Sequence, residues 1–413
     1  MQPEKSLDAE ELSDAQIDRD LGVRVPSRRS LKRIAKELTA GRPKHGLRHE
    51  AARLALLATK IAMFPLLEPF HSTRAVGADG TIVKKKRAYS WRALNAAISR
   101  LLALPVILGL YFALIVYFTT HPARLHARQT PQSFNMFYRR VHITTTDGEH
   151  LAGWYVPPVT SSAILARGVR GLLTRHPAAL LCHGLGQSAD AYLPLARMLH
   201  RAGFAVLLLN LRGQGGSGPG TVTFGLLERR DVTAGVHYLL MRHAVDAQQI
   251  DVVGARDAAN AALEAASTDP SIAAVVADGP FLLQRRIEHI FHAAGIAQDL
   301  FANCYIIAFD IMTHQRVGAT NLFSVVRRIH QPVLFVARSS NVGALGDVLN
   351  LAGAKGRGGR FLGPGISGQQ HHAVARRISA FLLSVYQQRQ AAAKLHTAGA
   401  GRGPGLELAP AEH

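Results

Sequence analysis

Hydrophobic and polar positions follow three different patterns along the chain. Residues 1–50 are charged, carry few strong apolar repeats, and are expected to be mostly disordered, with a short helix near Leu31–Leu38. Between Leu54 and Phe70 an apolar stretch is broken by Lys60, Pro65 and Glu68, which fits a helix lying in a membrane interface better than one crossing it. From Leu101 to Phe118 the chain reads LLALPVILGLYFALIVYF, eighteen residues without a charge. That is near the lower limit of a membrane span. A buried soluble helix is the rival, but such helices normally keep a polar face. A hundred residues precede this stretch, which argues against a cleaved signal peptide.

After about residue 138 the pattern changes to alternation. Val141–Thr145, the turn Asp147-Gly148 and Leu151–Val156 predict a hairpin. Apolar runs of strand length follow at Ala178–Cys182, Ala205–Asn210, Asp251–Gly254, Ala274–Ala277 and Val333–Ala337. Helical segments are predicted at Ala189–Arg201, Leu226–Arg242, Ala258–Ser267 and Arg376–Gln387. Continuous apolar strands separated by helices predict a mainly parallel sheet covered on both faces. The predicted organisation is a disordered 1–50, a basic juxtamembrane 51–100, a transmembrane helix 101–118, a folded α/β domain 138–388, and a flexible Ala/Gly/Pro-rich tail 391–413.

Composition narrows the picture. Apolar residues make up 48% of the 413, enough for a large core, so a wholly disordered chain is excluded. Two cysteines, Cys182 and Cys304, set neither a disulfide framework nor a zinc site. Net charge is +20, unevenly spread: residues 1–20 hold seven Asp/Glu against two Lys/Arg, and residues 21–100 hold eighteen Lys/Arg against four Asp/Glu. Nucleic acid would suit such charge. Its position beside the apolar stretch favours anionic lipid instead, and no nucleic-acid partner is expected. Lys84, Lys85, Lys86, Arg87, Arg92 and Arg100 precede the predicted span, and Arg124, Arg128, Arg139 and Arg140 follow it. That bias places the N-terminus in the cytoplasm, the span in the cell's inner (plasma) membrane, and the main domain on the periplasmic or extracytoplasmic side.

In a parallel sheet the ligand crevice lies at the carboxyl ends of the strands. The residues there are His183-Gly184-Leu185-Gly186-Gln187, Leu211-Arg212-Gly213-Gln214-Gly215-Gly216-Ser217-Gly218, Gly254-Ala255-Arg256-Asp257-Ala258, Asp278-Gly279-Pro280-Phe281 and Arg338-Ser339-Ser340-Asn341. With VHITTTDGEHLAGWYVPP, FGLLERRDVTAGVHYLL and IHQPVLFVA in order, the chain resembles the α/β-hydrolase family, in its serine esterase and peptidase-like branch, over about residues 141–387. The resemblance implies that fold, with a small helical cap at about 282–325. It also implies a Ser–His–acid triad whose Ser sits on a G-x-S-x-G turn.

Here the Ser position holds Arg256, whose guanidinium stays protonated and is no acyl nucleophile. Asn341 stands at the acid position and Arg338 replaces a Gly. His371 or His372 falls at the His position, and His183-Gly184-Leu185 matches the oxyanion-hole segment. The expected function is therefore a membrane-anchored, catalytically inactive or impaired hydrolase fold acting as a binding or scaffold module. The alternative is an active carboxylic-ester or peptide hydrolase using Asp257, one residue along, or a displaced Ser such as Ser188, Ser339 or Ser340. Arg256 and Arg338 form a candidate site for an acidic small ligand or a protein partner, with an Arg256–Asp278 ion pair as the competing use. No cofactor or metal is expected: the twenty His show no HExxH, and the adjacent His371-His372 point apart on a helix.

Overall fold

The computed structural model describes residues 73–76, 82–85, 91–158, 174–337, 342–356, 358–363 and 370–400. The expectations for residues 1–50, for an interfacial helix at 54–70, and for Arg338, Ser339, Ser340 and Asn341 concern residues outside these. The described residues form two compact units, those within 122–281 together with those from 321 to 400, and those within 73–121 together with 282–320.

The first unit is built on an eight-stranded sheet. Its strands are β3 (Arg139–Thr144), β4 (His150–Val156), β5 (His176–Cys182), β6 (Ala205–Leu209), β7 (Val245–Ala255), β8 (Ile272–Asp278), β9 (Val333–Val336) and β10 (Gly359–Leu362), in the spatial order β3-β4-β6-β5-β7-β8-β9-β10. The β3–β4 hairpin joins antiparallel to β6, and every pair from β6 through β10 is parallel. The sequence explains the division. β3 alternates exposed and buried positions, as an edge strand with one wet face should, whereas β6 is apolar and buried throughout and β8 is buried throughout and apolar up to Asp278.

The two faces of this sheet take alternate residues. Ala179, Leu181, Val206, Leu208, Val253, Ala274 and Val276 join one core with Leu195 and Leu199 of α2 (Leu193–Arg201) and Ile378, Phe381 and Leu382 of α9 (Gln370–Ala400). On the other face lies α3 (Glu228–Leu240), seated so closely that a Cβ on Gly235 would come within 3.0 Å of Leu180 and Leu209. α3 packs against α4 (Asp257–Ala266), and α4 against α7 (Leu322–Arg328), which in turn packs on α8 (Val342–Lys355).

Three features differ from the sequence expectation. α9 is far longer than 376–387 and carries helix into the segment 391–413 expected to be a flexible tail. β10 and α8 are additional elements. A small antiparallel pair, β1 (Thr73–Val76) and β2 (Ile82–Lys85), occurs within the basic segment.

The second unit contains that pair, the helix α1 (Trp91–Thr120), and α5 (Leu283–Phe291) joined by a 3-10 turn (292–297) to α6 (Gln298–Thr313). α1 is apolar and long enough over Ile98–Thr120 to cross a membrane, about 34 Å at helical rise, and extends the predicted 101–118 at both ends. Phe112 is 1% exposed and packs its ring against Phe291 and Phe301 at 5.8 Å.

Candidate functional site

β7 lies at the centre of the sheet, between β5 and β8, and ends at Ala255. The chain then turns from strand to helix α4 within one residue. That residue is Arg256, at φ 57° and ψ −112°. Such a conformation in a bulky non-glycine residue carries strain of order 1–3 kcal/mol. The turn holds because its flanks are small: a Cβ on Gly254 would meet the Ala258 carbonyl at 2.2 Å. The Arg256 amide donates to the Asp278 carbonyl at 2.8 Å, and the Arg256 carbonyl accepts from the Ala259 amide at 3.1 Å. The side chain of Arg256 is exposed. Between Arg256 and Asp278 the contact is thus through the main chain, and a buried ion pair at Arg256 is not what is found.

Against this turn lies the loop after β5. A Cβ on Gly184 would stand 2.8 Å from the Ala255 carbonyl and 3.0 Å from Cβ of Arg256, so the loop rests directly on the strained residue. The next amide, that of Leu185, donates to Oδ1 of Asp257 at 2.6 Å. Oδ2 of Asp257 accepts from Nε2 of Gln214 at 3.0 Å. Asp257 is 1% exposed. Burial raises its pKa, opposed by the hydrogen bonds from the Leu185 amide and Gln214 and by the charge of Arg256. The Gly184 amide donates to Oε1 of Gln187 at 3.3 Å. Of the segment that the sequence assigned to an oxyanion, the Gly184 and Leu185 amides are therefore engaged by the chain's own side chains.

His183 is also internal. Burial depresses its pKa, and its Nε2 is hydrogen-bonded to Oδ1 of Asn210 at 2.9 Å, whose amide in turn donates to the Ala152 carbonyl. His371 and His372 fall in the first turn of α9, where the structure describes the backbone alone. The structure thus brings together Arg256, Asp257 and residues 183–185. Among the described residues no group of three His, Cys, Asp or Glu is placed to hold a metal ion.

Sequence reasoning missed the polar groups that lock these loops. Arg212, 2% exposed, forks between Asp231 (2.6 Å) and Asp147 (2.8 Å), and its own amide donates to Asp231. It ties the β3–β4 turn and α3 to the loop after β6. Burial pushes the Asp147 carboxyl up, but hydrogen bonds from Arg212, Thr145 and Arg230 outweigh it and hold that group well below the usual carboxylate range. Glu228, fully buried, accepts from the Thr223 and Gly225 amides and the Thr223 hydroxyl. Asn260 of α4 bonds both ways with the Phe281 backbone after β8. A visible signal existed only for Arg212 and Gln214, in the Arg-Gly-Gln-Gly-Gly run after a strand.

The strand–turn–helix at β7, the loop folded over it and the strand order have a counterpart among known proteins. A family model described as alpha/beta hydrolase fold matches residues 177–296. This chain has the α/β-hydrolase fold. An esterase of Pyrococcus furiosus has a similar structure at TM-score 0.50 and 20% identity, covering 65% of this chain and 97% of that one. A hypothetical protein from Pseudomonas aeruginosa is similar at TM-score 0.48 and 17% identity, covering 64% and 99%. In sequence, an uncharacterised protein of Mycobacterium tuberculosis is 32% identical over 143 residues, which is 35% of this chain and 46% of the relative. The match thus spans about half the length of that curated relative. Within this fold, Arg256 is the strained residue between β7 and α4.

Proposed function

We propose that this is a membrane-anchored α/β-hydrolase-fold protein whose acyl-transfer site is closed and whose folded domain binds or scaffolds rather than hydrolyses. The observation that carries this reading is the Asp257 carboxylate on the Leu185 amide, next to an arginine at the nucleophile's position. Acyl transfer needs a nucleophile that can lose a proton and donors free to meet a developing oxyanion. A guanidinium fails the first need. A carboxyl already seated on the donor fails the second, because it occupies the N–H that a developing oxyanion would need. The same burial and pairing argue against Asp257 as a nucleophile, since its oxygens are turned into the loop. The exposed Arg256 guanidinium at the start of α4 is the group offered to an acidic ligand.

Anchoring rests on α1, with the N-terminal side cytoplasmic and the α/β unit extracytoplasmic, in keeping with the excess of Lys and Arg before the span. The test is hydrolysis of short- and medium-chain nitrophenyl esters by the full chain in detergent, beside His371→Ala, His372→Ala and Asp257→Ala. The expected result is no turnover above background in any of them. Turnover lost in Asp257→Ala would establish a carboxylate nucleophile. Turnover lost only with a histidine would establish a displaced serine.

A further inference from the structure

The stretch Leu283–Thr313, like α1, is apolar and long enough to cross a membrane. It does not cross one. Phe281 before it and Asn321 after it belong to the same compact unit, and β8 and β9, on either side of it in sequence, are hydrogen-bonded neighbours. A single crossing would put two strands of one sheet on opposite sides of the bilayer. The stretch is also broken at 292–297, where Gly295 takes φ 59°. Yet it carries a row of exposed apolar side chains: Ile290, Ile296, Leu300, Ile307, Ile311 and Met312. Leu300, Ile307 and Ile311 share one face of α6 by helical spacing. In water such a face is costly, and a soluble protein would cover it.

What α6 packs against identifies the cover. Phe301 meets Phe112 of α1, and the Tyr305 hydroxyl hydrogen-bonds that of Thr119 at 2.8 Å. Phe112 lies seven residues in from Thr119, about 10 Å along the helix. Helices of the membrane interface sit about 5–10 Å below the headgroup boundary. If Thr119 marks the end of the span, α6 therefore lies at interfacial depth. On α1 itself Val106, Leu110 and Leu114, which helical spacing puts on the side away from Phe112, are exposed and apolar as well, so apolar surface is not confined to α6. The polar residues fit the same placement. Arg285 and Arg286 stand at the beginning of the insertion, and His292, Gln298 and Asp299 gather at its bend, with His292 and Gln298 hydrogen-bonded at 3.0 Å. The two arginines suit headgroup level, which leaves the apolar row for the acyl chains.

We infer that the α5–α6 insertion is a second lipid-contacting element, seated in the leaflet from which α1 emerges into the α/β unit. The inference rests on the reading of α1 as a span. It makes the membrane, and not water, the surroundings of the α5–α6 insertion.

The test uses the full chain in vesicles of phosphatidylcholine with a minority of phosphatidylglycerol, some lipids carrying a nitroxide on the acyl chain. Cys304→Ala removes the half-exposed thiol, and the other, Cys182, is buried with its pKa pushed far up by burial. Into that background go Val106→Cys in α1 and, separately, Ile307→Cys and Ile311→Cys in α6, each bearing a fluorophore. Quenching at all three positions is expected, several-fold above that at Asp246→Cys on the α/β unit. Quenching at 106 alone, with 307 and 311 reactive to an impermeant thiol reagent, overturns the inference and leaves the span intact. Quenching at 106 with 307 and 311 shielded from both reagents also overturns it, in favour of a protein cover. Absence of quenching at 106 means that the span reading itself has failed.

Discussion

Arg256 is the residue on which the account turns. A left-handed φ is held there by neighbours too tight to allow another path, namely Gly254 under the Ala258 carbonyl and Gly184 against Ala255. Serine in that position would be strained for the sake of chemistry, and arginine is strained without the chemistry. Arg256→Gly should therefore stabilise the fold by about 1 kcal/mol, the released strain less the entropy of a glycine. Denaturant unfolding of the full chain checks this, and a lower midpoint would show that the arginine side chain contributes more than its backbone costs. The sharp turn at Arg256 was legible in the sequence, because Gly254 and Ala258 bracket it as small residues bracket such a turn. The role of Asp257 was not. Nothing in a local pattern says whether the first residue of a helix points to the mouth or into the loop beside it. Its direction is set by the Leu185 amide, 72 positions away.

At the scale of elements, the strands were legible wherever they were apolar throughout, and the hairpin wherever it alternated. β10 was not, because its four residues, Gly-Arg-Phe-Leu, show no period of their own and gain strand structure by pairing with β9. α8 was hidden by three glycines, which lower intrinsic helix propensity; packing on α7 and β10 supplies what propensity withholds. Elements are also joined by buried charge. Arg212 binds α3 and the β3–β4 turn to the loop after β6. Arg212→Leu leaves Asp231 buried without its partner and should cost about 3–5 kcal/mol, or roughly 10 °C in melting temperature. A thermal melt within about 2 °C of the parent would show that the clamp is dispensable.

For the whole molecule, stability and location follow from burial and from charge. Asp251, inside β7, has its pKa pushed up to about 8 by burial, against the opposing charge of Arg389. A carboxyl whose folded pKa exceeds its unfolded value favours the fold most at low pH, and that contribution is lost as pH rises from about 4 through 8. Asp251→Asn should accordingly flatten the decline in melting temperature between pH 5 and pH 8. Relative to the parent, the variant should gain several degrees at the upper end. Parallel pH profiles for the two proteins would contradict this. The basic segment and α1 together predict that the chain stays with membranes through washes in high salt and in alkaline carbonate. Release by salt alone would mean that charge, and not a span, holds it there.

The most direct test of a closed acyl-transfer site is covalent. The full chain, folded in detergent, is treated with a fluorophosphonate, and its intact mass is measured beside that of Arg256→Ser. A serine activated as a nucleophile forms a stable phosphonyl ester, whereas an ordinary serine does not react on the same timescale. The account predicts no adduct on the parent chain. It also predicts none on Arg256→Ser, because Asp257 still occupies the Leu185 amide. A single stoichiometric adduct on the parent chain would show that an active nucleophile exists, and that the closed-site reading is wrong.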